Sequence, residues 1–482
     1  MNPALAALHR RRFLQTAGAG LGGLALDWLL HSEATAAAAD PVHPMAARLP
    51  TFAPRAKSVI FLYMVGGPSS IDLFDYKPQL QKLGGKPVPE SLRKAVEATR
   101  FANIFTACRD ELLASPWAWK QHGQSGMWVS ELYPEVARHV DDLCFIHSMQ
   151  ADSNNHAPAS IQLHTGDTNG GKASIGSWIT YGLGTDNQNL PAYVLLFDYG
   201  PLGGATNYSN GFLPAAFQGT RLRDSTPPVL DLLPPQRFAA GQADSLTALR
   251  ELNLLHRAAR PGFPELDARI ASYELAYRMQ SAALEVADLD KEPKCIRDRY
   301  GVDHADAPRA KFARKCLLAR RLVERGVRFV QLYDMFDKDG WDAHENLKKN
   351  HEQHAAVSDQ AIGALLSDLK QTGLLESTLV VWASEFGRTP MVQGTHGRQH
   401  NYAGFTIWMA GGGVRPGLRL GATDELGLMA VDRPIAFRDL HATILSLLGM
   451  AHDSLSYEVS GRMERLTGVQ NTAHIIPEVL GV

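Results

Sequence analysis

Ser58-Val59-Ile60-Phe61-Leu62-Tyr63, closed by Gly66-Gly67-Pro68, is the stretch on which the fold turns. It is a short apolar run, β-branched at its start, with turn residues directly behind it. That reads as a buried strand ending in a tight turn. Five more runs read the same way: Leu143–His147, Ala192–Phe197, Arg328–Tyr333, Ser377–Ala383 and Phe405–Ala410. Helical patterns lie between several of them. From His351 to Gln371, Val357, Ala361, Leu365 and Leu369 recur every four residues, and Gly373 closes the segment. Asp439–Leu448, stopped by Gly449, is a further helix. Strand–helix–strand spacing of this kind predicts right-handed βαβ units and an α/β fold with a mainly parallel central sheet. Residues 202–290 differ. A Gly/Pro-rich stretch precedes a long helical region broken near Pro261-Gly262-Phe263-Pro264, which predicts a helical insertion or cap on the sheet.

The composition suits such a core. Of 482 residues, 45% are hydrophobic and 20% charged, which excludes a mostly disordered chain. The formal net charge of −2 lacks the basic excess of a nucleic-acid binder. The N-terminus reads Arg10-Arg11-Arg12-Phe13-Leu14, then a mild Gly/Ala-rich run from Ala17 to Leu30, then small residues from Ala34 to Ala38. Paired arginines before a weak apolar run predict a twin-arginine signal over residues 1–36. The competing reading, a membrane anchor, needs about 20 apolar residues, and this run is shorter and contains Asp27. The expected partner is therefore the twin-arginine export machinery. The expected destination is the periplasm or beyond, with no transmembrane segment in the mature chain. Residues 37–55 read as an extended lead-in and 56–482 as the α/β domain. Cys108, Cys144, Cys295 and Cys316 contain no C-x-x-C pair, so a zinc ribbon is excluded; disulfides and free thiols both fit.

In open α/β sheets, ligands sit beyond the carboxyl ends of the strands. Polar, metal-capable residues gather there. Ser69 and Asp72 follow the first run, Asn155 and His156 the second, Asp342 and His344 the fourth, and Glu385 and Arg388 the fifth, with Arg398 and His400 beyond. Asp342 and His344 are two apart, so in extended chain they point to one side and can share a divalent ion; a loop carboxylate beside a structural histidine is the plainer alternative. Glu385 directly follows an apolar strand, where a charge needs a metal or an ion pair, Arg388 being the nearest candidate. His400 is a further candidate nitrogen ligand, and Asp72 a further carboxylate. His156 opens a helix with Asn155 before it, and can serve as ligand, nucleophile or acid–base group. Arg388 and Arg398 are candidates to hold an anion, with Ser69 beside them. His351 and His354 lie at i, i+3, where a solvated helical face is the simpler reading.

Taken together, Phe61 to Asp75, Asn155-His156-Ala157-Pro158-Ala159, Gly340-Trp341-Asp342-Ala343-His344, Glu385-Phe386-Gly387-Arg388-Thr389-Pro390, and Gly397 to His400 followed by Ala410 to Gly413 resemble the exported bacterial family known as domain of unknown function 1501. That family is regarded as allied to the alkaline-phosphatase-like superfamily of phosphatases and sulfatases. The resemblance implies a three-layer α/β/α sandwich with metal at the strand ends. It implies an exported metal-dependent hydrolase of phosphate or sulfate esters, with one or two divalent ions (Zn, Mn or Ca) and a small anionic ester or a sulfated or phosphorylated glycan as substrate. It aligns Asp342 and His400 with one metal position, Glu385 with a second, and His156 with the neighbourhood of the nucleophile. Phe386 stands where the second position would have a histidine, and the Cys-x-Pro-x-Arg motif of sulfatases is absent. The alternative on the same fold is a non-catalytic protein that binds anionic glycans or another ligand.

Overall fold

All six apolar runs become strands of one sheet. The fold is that of a computed structural model, which describes residues 44–482 apart from 225–226, 231, 237–239, 261–263, 471 and 482. The expected signal (1–36) and the start of the lead-in lie outside the described residues; residues 44–57 contain no helix or strand. The sheet strands are β1 (Ser58–Met64), β2 (Leu143–Gln150), β3 (Tyr193–Leu196), β4 (Thr220–Leu222), β5 (Phe329–Asp334) and β6 (Thr378–Ala383). A hairpin, β7 (Gly387–Gln393) and β8 (Gly397–Asn401), stands outside the sheet; β9 (Phe405–Ala410), β10 (Arg419–Leu420) and β11 (Ile435–Ala436) complete it. Their order is β10-β2-β9-β6-β1-β5-β3-β4, with β11 also on β2. Every pairing is parallel except those of β9, which runs against both β2 and β6.

The main helices are α1 (His156–Thr165), α2 (Ile175–Leu183), α3 (Gln242–Ala258), α4 (Pro264–Ala287), α5 (Ala307–Glu324), α6 (Leu347–Gln371) and α7 (Phe437–Leu447). They cover both faces of the sheet. Ile60, Leu62 and Met64 of β1 share a core with Leu317 and Leu322 of α5 and Leu365 and Leu369 of α6. Phe61 and Tyr63, which alternation turns the other way, pack on His164 of α1 at ring distances of 6.0 and 4.8 Å. Every residue of β1 is buried, as a parallel strand covered on two sides requires. The result is a mixed α/β fold in three layers. Within residues 202–290, α3 and α4 supply the expected helical segment. All four cysteines are free thiols. No helix of the described residues is long and apolar enough to cross a membrane.

This topology brings the loops after β1, β2, β5 and β6 to one edge. Two loops meet there with no side chain between them. Trp341 N–H donates to the Val65 carbonyl at 2.8 Å. Gly340, at φ +60°, faces that carbonyl so closely that a Cβ would lie 2.4 Å from it, and a Cβ on Gly66, at φ +107°, would lie 2.6 Å from the Trp341 nitrogen. Glycine is required at both positions.

Candidate metal centre

The loop after β5 carries Asp342 and His344, the start of α1 carries His156, and β8 carries His400. These four come together: one ligand atom from each lies within 4.8 Å of all the others. Around Asp342 stand the Nε2 atoms of His344 at 3.0 Å, His400 at 3.2 Å and His156 at 3.3 Å.

Each imidazole is oriented by its other nitrogen. His156 Nδ1 lies 2.7 Å from the Glu385 carboxylate, His400 Nδ1 lies 2.7 Å from the Asn154 carbonyl, and His344 Nδ1 bonds the Gln393 side-chain oxygen. These partners are oxygen acceptors, so each Nδ1 carries a proton and each Nε2 presents a lone pair. Three lone pairs and a carboxylate then face one another across a small space. Nε2 of His156 is buried and makes no hydrogen bond. Such an arrangement is repulsive unless a proton or a cation lies between the groups. A divalent cation fits the donor set, and the acceptors behind the rings are the outer partners that histidine ligands regularly have.

Glu385 stands behind His156, outside the cluster of four. It is fully buried and accepts from Gly66 N–H (3.0 Å), the Tyr63 hydroxyl (3.1 Å) and the Ser384 hydroxyl (2.7 Å) as well as from His156. Burial raises its pKa, but the His156 ring, with the Ser384 hydroxyl and its own backbone N–H, outweighs that and holds it below the usual value. The ion pair expected as its alternative, with Arg388, is absent among the described contacts. Arg388 instead donates to the Gly66 and Gly67 carbonyls and, at 2.6 Å, to Asp342. Burial works against the Asp342 anion; where a proton rather than a cation lies between the groups, ring N–H donors of His156, His344 and His400, together with Arg388, more than reverse this and hold it far below the ordinary carboxylate range. The Phe386 ring packs on His156 and His400 at 4.8 and 4.5 Å, an apolar wall where a second ligand was conceivable.

The remaining sequence candidates lie elsewhere. Asp72 does not reach the cluster; it accepts two bonds from Arg398, at 2.7 and 3.1 Å, and one from the Ser69 hydroxyl at 2.5 Å. All three side chains are fully buried, so Arg398 and Ser69 are not open to a substrate. Arg388 is equally enclosed, its donors spent on the fold, and cannot clamp an external anion. Asn155 is exposed and precedes α1 without capping it through its side chain. His351 and His354 are buried at 0% and 1% exposure, not solvated: α6 is covered here by Trp341 and Trp117, and His351 Nε2 accepts from Ser69 N–H at 2.9 Å. The orienting groups Gln393 and Asn154 carry no signal in the sequence; one is an ordinary amide, the other acts through its backbone.

A family model described as "Protein of unknown function (DUF1501)" matches residues 56–480. A search of curated proteins finds no match. Among solved structures, the chain is similar to an alkaline phosphatase from the Antarctic bacterium TAB5, with 11% identity over 74% of this chain and 92% of that one and a TM-score of 0.33. It is similar to a phosphonate monoester hydrolase from Silicibacter pomeroyi, with 13% identity over 72% of each chain and a TM-score of 0.34. It is also similar to a lipoteichoic acid synthase from Listeria monocytogenes, with 9% identity over 89% of this chain and 77% of that one and a TM-score of 0.32.

Proposed function

We infer that this chain, which belongs to the DUF1501 family, is an exported hydrolase of phosphate or sulfate esters built around a single divalent cation. The observation that carries the reading is the convergence of three Nε2 lone pairs and the Asp342 carboxylate, each ring fixed by an oxygen acceptor behind it. His156, Asp342, His344 and His400 would hold the ion. Three nitrogens and one carboxylate suit Zn²⁺ or Mn²⁺ better than Ca²⁺, which prefers an all-oxygen shell. When bound, the ion supplies Lewis acidity that polarises an ester and stabilises charge on the group transferred.

The protein's own part is positioning and charge. Asp342 and Glu385 against Arg388 leave one negative charge among the buried and half-buried groups; a divalent cation turns that to one positive, which favours an anionic ester. Glu385 fixes His156, and Arg388 fixes Asp342. Phe386 keeps the inner side dry, while His344, 35% exposed, and Asp342, 24% exposed, mark the open side from which a substrate approaches. With both arginines enclosed, the ion itself is the anion-binding group. Purified chain supplied with Zn²⁺ or Mn²⁺ is expected to hydrolyse an aryl phosphate or aryl sulfate, and Asp342→Ala to abolish this. Turnover that persists in Asp342→Ala would place the chemistry elsewhere.

One observation favours a second reading. Arg388 and Arg398, the two arginines the sequence offered as anion clamps, are both fully enclosed, which suits a protein that binds an anionic ligand or glycan through its ion without turnover. Binding of a phosphorylated or sulfated sugar to the metal-loaded chain, with no product formed, would favour it. Export by the twin-arginine route is part of the proposal and rests on the sequence of residues 1–36. A reporter fused to those residues should leave the cytoplasm, and Arg10, Arg11 and Arg12 changed together to Lys should retain it.

A further inference from the structure

The indole of Trp341 packs against both His351 and His354 of α6. It is fully buried, edge-on to His351 at 5.1 Å and tilted against His354 at 5.0 Å, with the Tyr133 ring at 6.4 Å. Burial holds both imidazoles below their ordinary pKa, so neutral rings line this socket. The indole N–H needs an acceptor in such a place, and Asp334, the last residue of β5, supplies it: Nε1 donates to Oδ2 at 2.9 Å. The Asp334 carboxyl is 1% exposed and has no other hydrogen bond among the described residues; its Oδ1 is buried and unpartnered. Burial pushes its pKa up to about 7, against the Trp341 bond and the Lys315 ammonium. Charged or neutral, it can offer Oδ2 to the indole.

A buried carboxyl with one bond costs the fold free energy. What that bond secures is the residue directly before a ligand. The backbone N–H of Trp341 is held by the Val65 carbonyl at 2.8 Å, and Asp334 holds the far end of its side chain. Both ends of Trp341 are thereby fixed, and the next residue is Asp342, on which three imidazoles and Arg388 converge. A ligand set of this kind has to be held to within about 0.5 Å. We propose that Asp334 is a positioning residue for the cation site: through the Trp341 indole it fixes where Asp342 stands. The inference rests on the reading of His156, Asp342, His344 and His400 as cation ligands. The carboxyl of Asp334 bonds none of those four, and it acts through Trp341.

The test is Zn²⁺ affinity, by chelator competition on the metal-free full chain, with a urea midpoint for each variant. Asp334→Ala leaves the indole N–H without its acceptor and frees the ring to turn. It should lower the affinity at least about tenfold, as loss of an outer partner does. Trp341→Phe keeps a ring in the socket but no donor, and should do the same. Asp334→Asn keeps a side-chain oxygen for the indole and should bind within about threefold of wild type. A role confined to stability would lower the urea midpoint of Asp334→Ala and leave its affinity unchanged. Affinity within about twofold of wild type in Asp334→Ala or in Trp341→Phe, well short of the outer-partner loss, overturns the proposal. So does an Asp334→Asn chain as weak as Asp334→Ala, since the acceptor oxygen would then not be what matters. Should Asp334→Ala fail to fold, Trp341→Phe decides alone. A wild-type chain that binds no Zn²⁺ ends the cation reading and the proposal with it; wild-type binding with unaffected variants ends the proposal only.

Discussion

Glu385→Gln tests the centre without removing a ligand. The native carboxylate accepts from His156 Nδ1, Gly66 N–H and the hydroxyls of Tyr63 and Ser384. A glutamine can keep its oxygen on the two N–H donors. Its amide then meets two hydroxyls that can reverse, because Tyr63 has Ser160 Oγ at 2.8 Å and Ser384 has the Met64 carbonyl at 2.7 Å as other acceptors. The fold therefore tolerates the change, and what disappears is the negative charge that makes His156 a strong donor to a cation. Loss of such an outer partner typically lowers metal affinity about 10–100-fold, or about 1.4–2.7 kcal/mol. Glu385→Ala, which leaves the Nδ1 proton unpaired, should cost more. Chelator-competition titration with Zn²⁺ on the purified chain reads the affinity, and a urea midpoint on the metal-free chain reads the fold. A Glu385→Gln chain of wild-type stability that binds Zn²⁺ within twofold of wild type would refute the reasoning, since His156 could not then be a ligand that depends on Glu385.

Other outcomes follow from the same contacts. Asp72→Asn leaves Arg398 charged and uncompensated in a fully buried site, and should destabilise the chain by about 3–5 kcal/mol in urea unfolding, with or without metal; a loss below about 1 kcal/mol would contradict this. His147, His164 and His441 are pushed by burial from 6.5 down to about 4. Above pH 6.5 they are neutral folded or unfolded; as the pH falls towards 4 the unfolded chain binds protons that the folded chain refuses. Stability of the metal-free chain should therefore drop between pH 6.5 and 4, by on the order of several kcal/mol, and a flat urea midpoint across that window would count against it. Gly340→Ala sets a Cβ 2.4 Å from the Val65 carbonyl at a positive φ. It should shift the loop that carries Asp342 and His344 and weaken Zn²⁺ binding at least tenfold; unchanged affinity in the titration would show that loop to be adaptable.

Much of the fold could be read from the chain, because a buried strand needs only a short apolar run and a turn, and six such runs are present. The direction of β9 could not. Between Ala383 and Phe405 the chain inserts a hairpin instead of a helix, so the crossover that would make β9 parallel is missing. The strands of two or three residues, β4, β10 and β11, are too short to leave a pattern. Asp342, His344, His400 and His156 stood out because metal-capable side chains recur after the strand ends. Asp72, Ser69, Arg388 and Arg398 follow the same strand ends and are equally polar, and only tertiary packing separates them: Asp72, Ser69 and Arg398 bond one another inside the fold, and Arg388 bonds backbone carbonyls and Asp342. Glu385 was conspicuous as a charge after an apolar strand, yet whether it touches a metal or stands behind a histidine depends on a few ångströms that spacing does not encode. The same holds for His351 and His354, where a helix periodic on one side is covered on the other by tryptophans from distant loops.

The most direct test of the account is the metal content of the purified chain after loading with Zn²⁺ or Mn²⁺ and exhaustive dialysis, compared with Asp342→Ala. About one ion per wild-type chain and close to none in the variant is the predicted result. A wild-type chain that retains no ion, or a variant that retains as much as wild type, would mean that the three imidazoles and Asp342 do not form a cation site.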